Sequence, residues 1–244
     1  MLLMNKGRFR ARLAETQDDI RAAQSLRHLC FHGTGQGVDA DEFDVICDHV
    51  LIEEARSGRL VCTFRFLPLS DGGQIGRSYA AQFYELSALE AFSGPMVEMG
   101  RFCIHPDIND PDILRIAWGA MTRFVDDNGI EMLFGCSSFH GTDEEKYLDS
   151  FAMLKERHLA PRRWLPRVKA PQVFKFAQKL RRKPDAKMAM LRMPPLLRTY
   201  LLMGGWVSDH AVVDPQMNTL HVFTGLEINA IPPARKRLLR GVVG

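Results

Sequence analysis

Met96-Val97-Glu98-Met99-Gly100-Arg101-Phe102-Cys103-Ile104 decides the fold. It reads as a short strand of apolar and β-compatible residues, yet it carries two full charges and a glycine between them. In a regular strand Met96, Glu98, Gly100 and Phe102 share one face and Arg101 points the other way. A glycine inside a strand marks a bulge, which adds one residue and shifts the phase. A bulge near Gly100 brings Glu98 and Arg101 to one side and frees backbone N–H groups around Phe102–Ile104 that suit a reacting carbonyl. The plain alternative, a central strand with a buried ion pair, stands beside that reading, because E-x-x-R alone is a weak motif.

Outward from this strand the chain alternates between strand and helix patterns. Arg8–Leu13 alternates polar and apolar as a strand. Thr16 caps a helix with Asp19 three residues on, and Ala22, Ala23, Leu26, Leu29 and Cys30 form its apolar stripe. Arg27 borders that stripe and Phe31 follows one turn later, so an arginine beside an aromatic reaches toward a site or snorkels at a helix end. Gly33–Ala40 is loop. Its glycines form no phosphate loop, since no strand precedes them and no G-K-[ST] follows. The aspartates of Asp41–Asp48 lack calcium-loop spacing and fit pairing with buried arginines better. His49–Glu53 and Leu60–Leu67 read as a hairpin, and Gly76–Gly94 as mixed, with a helical piece at Leu86–Phe92. After the central strand, Asp112 opens a helix that Asn128-Gly129 stops. Ile130–Ser138 is a buried strand, and Thr142 caps a further helix that ends in Lys155, Arg157 and His158.

The net charge of +3 hides an asymmetry. Lys155–Tyr200 carries fourteen Lys or Arg against two acids, a net of +12, which leaves −9 on the other 198 residues. Such a block implies an acidic partner: nucleic acid, an anionic membrane surface or an acidic carrier protein. Within it Gln172–Leu180 is amphipathic, Arg181–Met193 reads as mobile, and Pro194-Pro195 opens a short apolar helix to Met203, an order that suits an interfacial segment. Trp206–Val213 and Leu220–Ile228 are two last strands, and the basic tail frays. No apolar run reaches the roughly 20 residues of a membrane span, and no secretory signal is evident. The five cysteines (Cys30, Cys47, Cys62, Cys103, Cys136) show no paired spacing. They fit a reduced, cytosolic setting and no metal site.

This order of elements resembles the acetyltransferase-like (GNAT) fold, which implies an α/β architecture: a mixed central sheet with a bulged strand, plus here a basic helical extension. The expected division is a core over 8–158, a basic amphipathic helical insertion over 159–205 and completing strands over 206–230. Where common GNAT members carry a glycine-rich turn for the pyrophosphate of coenzyme A, this chain has H-P-D-I-N-D-P-D-I-L (His105–Leu114), which favours an acyl group delivered on acyl carrier protein. Arg27 and Phe31, Asp41 and Asp44, and Glu98 and Arg101 are similar to the motifs of acyl-homoserine-lactone synthases. F-D-V-I-C-D-H (Phe43–His49), E-M-G-R-F-C-I-H-P-D (Glu98–Asp107), L-F-G-C-S-S-F-H-G-T-D (Leu133–Asp143), P-P-L-L-R-T-Y-L (Pro194–Leu201) and D-P-Q-M-N-T (Asp214–Thr219) resemble the ornithine-lipid N-acyltransferases more closely. The departures lie around Ser208-Asp209-His210 and Arg77–Tyr84.

The resemblance implies transfer of a 3-hydroxyacyl group from acyl carrier protein to the α-amine of L-ornithine, with glutamine or another amino acid as alternative acceptor. No cofactor of the enzyme's own is implied; the carrier's phosphopantetheine thioester is a co-substrate. Glu98 is the candidate base, with Arg101 and the backbone of Phe102 and Cys103 at the reacting centre. Arg27, Phe31, Asp41, Asp44 and Ser137 are candidate substrate contacts. Cys103 and Cys136 read as core residues, because a deprotonated amine needs no covalent intermediate. His49, His105 and His140 are general-acid candidates, each set against an ordinary core or loop role. The product implies a cytoplasmic enzyme held peripherally at the inner membrane, with no nucleic acid bound. An autoinducer synthase and a non-catalytic binding module are the competing classes.

Overall fold

The structure, a computed structural model, describes every residue except 34, 35 and 244. The chain opens with strands β1 (Leu2–Lys6) and β2 (Phe9–Leu13), helix α1 (Gln17–His32), and the hairpin β3 (Asp48–Glu54) and β4 (Leu60–Leu69). Short 3-10 turns and β5 (Tyr84–Glu85) lead to β6 (Met96–Ile104), α2 (Pro111–Asp127), β7 (Met132–His140) and α3 (Leu148–Arg157). Strands β8 (Arg167–Val168) and β9 (Val173–Phe174) and helices α4 (Phe176–Lys179), α5 (Ala186–Arg192) and α6 (Pro195–Leu202) follow. Strands β10 (Trp206–Val207), β11 (Ala211–Asp214) and β12 (Thr219–Glu227) and helix α7 (Pro233–Val243) end it.

The chain divides into two compact units, one of Met1–Pro68, Met99–Ile130 and Pro233 onward, the other of Leu69–Glu98 and Glu131–Pro232. The basic stretch is no separate insertion, because its residues join the sheet and core of the second unit.

In the first unit β1 to β4 form an antiparallel ladder, with β6 next to β4. Strand β1, absent from the sequence reading, is fixed by pairing with β2. Helix α1 starts where expected: the Thr16 side chain accepts from the Asp19 amide while the Asp19 carboxylate accepts from Thr16, and Gly33 closes it at a left-handed φ of 71°. Its buried residues are Ala23, Leu26 and Arg27; Ala22, expected in the stripe, is exposed. Helix α2 begins at Pro111, capped by the Asp110 carboxylate, and buries Ile113, Ala117, Ala120 and Phe124, the last stacked on Phe66 of β4 at 4.4 Å. Each such buried large side chain contributes about 1.5–3 kcal/mol. The tail does not fray: α7 lies on α2, and Lys6 donates to the Gly241 carbonyl.

In the second unit the sheet is mixed. β6 and β7 are parallel over Met96–Met132, Val97–Leu133 and Glu98–Phe134, and β7 and β12 are antiparallel from Thr219–His140 to Glu227–Met132. β11 and β10 lie along the other edge of β12, and β9 pairs with β11. On one face Phe139, Leu220 and Val222 join Phe151 and Leu154 of α3 and Leu197 of α6 in a core.

Several elements here differ from the sequence reading. Asp143, not Thr142, supplies the cap, and it caps a 3-10 turn at Glu144–Tyr147 before α3 begins. Val173 and Phe174 are strand, because an edge of β11 is there to pair with. Arg181–Met193 is not mobile. The Asp185 carboxylate caps α5 by accepting from Lys187 and Met188, Arg182 pairs with Asp149, and Ser150 donates to the Ala189 carbonyl. Trp206–Val213 breaks into two strands at Ser208-Asp209. No described helix is long and apolar enough to cross a membrane.

Candidate active site

Three arginines and three aspartates meet in the first unit. Arg27, 1% exposed on α1, forms a bidentate pair with Asp44 (Nη1–Oδ1 2.7 Å, Nη2–Oδ2 2.9 Å) and reaches Asp39 through Nε at 2.8 Å and through a further bond to its carbonyl. Arg65 of β4 binds Asp41 at 2.6 and 2.8 Å and Asp44 at 2.6 Å, with its guanidinium over the Phe43 ring. Arg101 of β6 reaches Asp41 at 3.0 Å and Asp39 at 3.2 Å. Asp41 and Asp44 are brought together by a 3-10 turn at Glu42–Val45, in which each caps the other's backbone. Four of the residues singled out in the sequence, Arg27, Asp41, Asp44 and Arg101, thus form one cluster, while Phe31 sits half-buried near the end of α1.

The cluster does no acid–base chemistry near neutrality. Burial raises the Asp44 carboxyl, but hydrogen bonds from Arg27 and Gln24 and the charges of Arg27 and Arg65 outweigh it and hold the group well below the carboxylate range. Asp41 is lowered the same way, its burial offset by Arg65 and Arg101. Burial lowers His49, whose ring nitrogen meets the Asp44 carbonyl at 3.0 Å, and keeps it neutral. Equal opposite charges with bidentate geometry make a rigid, charge-compensated block. It can position a substrate and set a field, but it offers no proton acceptor.

The irregularity expected at Gly100 falls one residue later: Arg101 takes a left-handed φ of 55° inside β6. Phe102 stacks on Phe64 at 5.7 Å. Cys103 is buried, and its thiol is pushed well up by a hydrogen bond with Cys30 and by burial. A thiol held protonated is a poor nucleophile, which agrees with a packing role.

Glu98 lies in the second unit, 4% exposed. Its Oε2 accepts from the Tyr79 amide at 2.7 Å and its Oε1 from the Ala80 amide at 2.8 Å. These amides open the 3-10 turn Ala80–Gln82, so the carboxylate pins that turn to β6. Ser137 accepts from the Thr224 hydroxyl at 2.9 Å and shares the face of β7 that carries the core residue Phe139. His140 is exposed, and His105 holds a turn through the Asp107 amide. Among the described residues no group of three or more His, Cys, Asp or Glu is placed to hold a metal ion.

Sequence reasoning missed Asp39, Gln24 and Arg65 as members of the cluster. Arg65 had a signal, a charge in a strand otherwise rich in aromatics; Asp39 sat in a loop with nothing to mark it. The amide donors of Tyr79 and Ala80 leave no trace in side-chain identity.

The mixed sheet, with a buried glutamate and a left-handed arginine on β6, is compatible with the acyltransferases of the GNAT class. The acetyltransferase (GNAT) domain family matches residues 26–119. The structure resembles FeeM, an N-acyl amino acid synthase from uncultured soil microbes, with TM-score 0.50 at 12% identity over 92% of this chain and 93% of that one. It resembles the CoA-dependent acyl-homoserine lactone synthase BjaI with TM-score 0.50 at 14% identity, over 93% of this chain and 83% of that one; both likenesses bear on the fold. In sequence the chain is 34% identical to an L-ornithine N(alpha)-acyltransferase of Rhodobacter capsulatus across 91% of each chain. It is 28% identical to the Brucella abortus protein of the same name, over 95% of this chain and 88% of that one. The chain belongs to the L-ornithine N(alpha)-acyltransferase family.

Proposed function

We propose that this enzyme transfers a 3-hydroxyacyl group from acyl carrier protein to the α-amine of L-ornithine, forming lyso-ornithine lipid. The observation that carries this is the near full-length relationship to proteins of that name. In the reaction the ammonium loses a proton, its nitrogen attacks the thioester carbonyl, and the C–N bond forms as the C–S bond breaks. The second amine proton goes with the departing pantetheine thiolate. Glu98 receives the first proton through one water. Backbone N–H groups of Phe102–Ile104 are the proposed donors to the developing oxyanion.

The donor reading rests on the start of α2. Asp110 already caps its amides, Asp107 and Asp112 flank it, and Asp110 is also paired with Arg8. Pyrophosphate binding needs bare N–H groups and positive potential at a helix start; an acidic, self-capped start opposes it and favours a carrier-bound thioester. Exposed Leu191 (71%) on α5, a helix that also carries Lys187 and Arg192, and exposed Leu202 (53%) on α6 support peripheral attachment to an anionic cytoplasmic leaflet. Purified protein is to be incubated with 3-hydroxyacyl carrier protein and separate amino acids, following free carrier thiol and product mass. Acyl-ornithine is expected. Acyl-glutamine changes only the acceptor, lactone from S-adenosylmethionine moves the chain to the signalling class, and no transfer from folded protein overturns the reading.

A further inference from the structure

Three thiols come together in the first unit, where α1 lies against the end of β6. Cys30 stands three residues after Arg27 on α1, and its Sγ is 3.3 Å from the Ile104 carbonyl of β6. The residue before Ile104 is Cys103, whose thiol is hydrogen-bonded to that of Cys30. The third thiol, Cys62, is on the neighbouring strand β4. The His105 amide donates to the Val61 carbonyl at 2.8 Å, which sets Cys62 beside the end of β6. The three differ in access: Cys62 is 0% exposed and Cys103 6%, whereas Cys30 is half-buried. All five cysteines of the chain are reduced.

The contact makes the two bonded thiols unequal. The Cys103 hydrogen bond holds the Cys30 thiol below its ordinary value, against the opposing effect of burial. The same bond, with burial, pushes Cys103 well up. Burial pushes Cys62 up as well. The first proton to leave the pair therefore comes from Cys30, the member that solvent reaches, and the thiolate is the reactive form. Small buried cysteines are ordinary core residues, which accounts for Cys62. A half-buried thiol bonded to a second thiol on another element is the arrangement of an oxidisable pair. In a reducing compartment such a bond is transient rather than structural.

We propose that Cys30 and Cys103 are a redox modification site, which a peroxide closes to a disulfide between α1 and β6. The Cys30 thiolate attacks one oxygen of hydrogen peroxide. The S–O bond forms, the O–O bond breaks, and the hydroxide that leaves takes a proton from solvent to become water. The Cys103 sulfur then attacks the sulfenic sulfur of Cys30. The S–S bond forms, the S–O bond breaks, and the hydroxyl leaves as water with the Cys103 proton. Two thiols are oxidised, one peroxide is reduced and two waters form. The nearby Arg27 charge favours loss of the Cys103 proton in the second step, against the effect of burial. The bond joins the two elements whose arginines, Arg27 and Arg101, share Asp39. This chemistry depends on the thiols alone and stands apart from the acyl-transfer reading above.

The test treats the reduced, full-length protein with hydrogen peroxide, blocks the remaining thiols with N-ethylmaleimide and maps the digest by mass spectrometry, with and without dithiothreitol. Wild type is expected to yield a peptide pair joining Cys30 to Cys103, lighter by two hydrogens than its separate peptides and parted by dithiothreitol. Cys62→Ser is expected to keep that link. Cys30→Ser, at the half-buried position, is expected to lose it and to slow oxidation of Cys103 by at least about tenfold, because the reactive thiolate is gone. If Cys62→Ser does not fold, the wild-type map and Cys30→Ser decide. A link from Cys30 to Cys62 or to a second chain overturns the assignment. So does Cys30 ending as sulfinic acid with Cys103 still a thiol, oxidation of Cys47 or Cys136 that spares Cys30, or no loss of any thiol. Rapid Cys103 oxidation in folded Cys30→Ser overturns the order of the two steps and with it the role of Cys30.

Discussion

Replacing Asp44 by alanine removes the carboxylate that binds Arg27 twice, Arg65 once and Gln24 once. Asp44 and both of these arginines are buried: Asp44 is 5% exposed, Arg27 1% and Arg65 3%. Breaking a buried pair by deleting one member typically costs 3–5 kcal/mol, because a charge is left uncompensated. Arg27 keeps Asp39 and Arg65 keeps Asp41, so the loss belongs at the lower end, about 3 kcal/mol. For a chain of this size that lowers the melting temperature by about 6–12 °C. Urea unfolding at pH 7 and at lower pH measures it. The Asp44 carboxyl is held below its unfolded value, so its contribution is full above about pH 4 and is lost as pH falls through the folded value. The gap between wild type and variant must therefore shrink in acid. A variant within 1 kcal/mol of wild type at neutral pH, or a gap that widens below pH 4, refutes the account of the cluster as a charge-compensated block.

Other outcomes follow from the same geometry. Glu98→Gln removes the proton acceptor and turns one oxygen into an N–H₂ group facing an amide donor; kcat should fall by about 10²–10⁴-fold, and a folded, fully active variant rejects the base assignment. His221 is buried neutral, with its value near 4 set by burial and opposed by Asp214. A lowered folded value gives stability present above the unfolded value of about 6.5 and lost as pH falls toward 4. His221→Asn should flatten the stability–pH curve in that window by roughly 3 kcal/mol, and an unchanged acid branch argues against a buried neutral ring. A Cβ on Gly225 would lie 2.4 Å from the Trp206 ring. Gly225→Ala is thus expected to displace the indole, cost about 1–3 kcal/mol and alter tryptophan fluorescence; an unperturbed spectrum contradicts that close approach.

The elements legible in the sequence are those whose signals are local. The limits of β6, the capping box of α1, the β3–β4 hairpin and the stripe of α2 all follow from periodicity and caps within a dozen residues. The elements that were not legible depend on distant partners. Val173-Phe174 carries no strand pattern of its own and becomes strand only because β11 leaves an edge free. The basic run 181–183 hides α5, whose cap and docking come from Asp185 and from Ser150 far upstream. The site shows the same split. Arg27, Asp41, Asp44 and Arg101 are readable as charges in apolar settings. Asp39 is an ordinary loop aspartate until the fold brings it to Arg27, and the amides that hold Glu98 are invisible to any reading of side chains.

The left-handed backbone at Arg101 constrains which sequences this strand can tolerate. An L-residue there carries a conformational penalty of about 1–2 kcal/mol, which the guanidinium offsets by bridging Asp39 and Asp41. Glycine would relieve the backbone and abandon both aspartates. Lysine would keep the charge and lose the fork that spans them. Valine or isoleucine would fail on both counts. Backbone and ion pairing thus narrow position 101 independently, and arginine meets both demands.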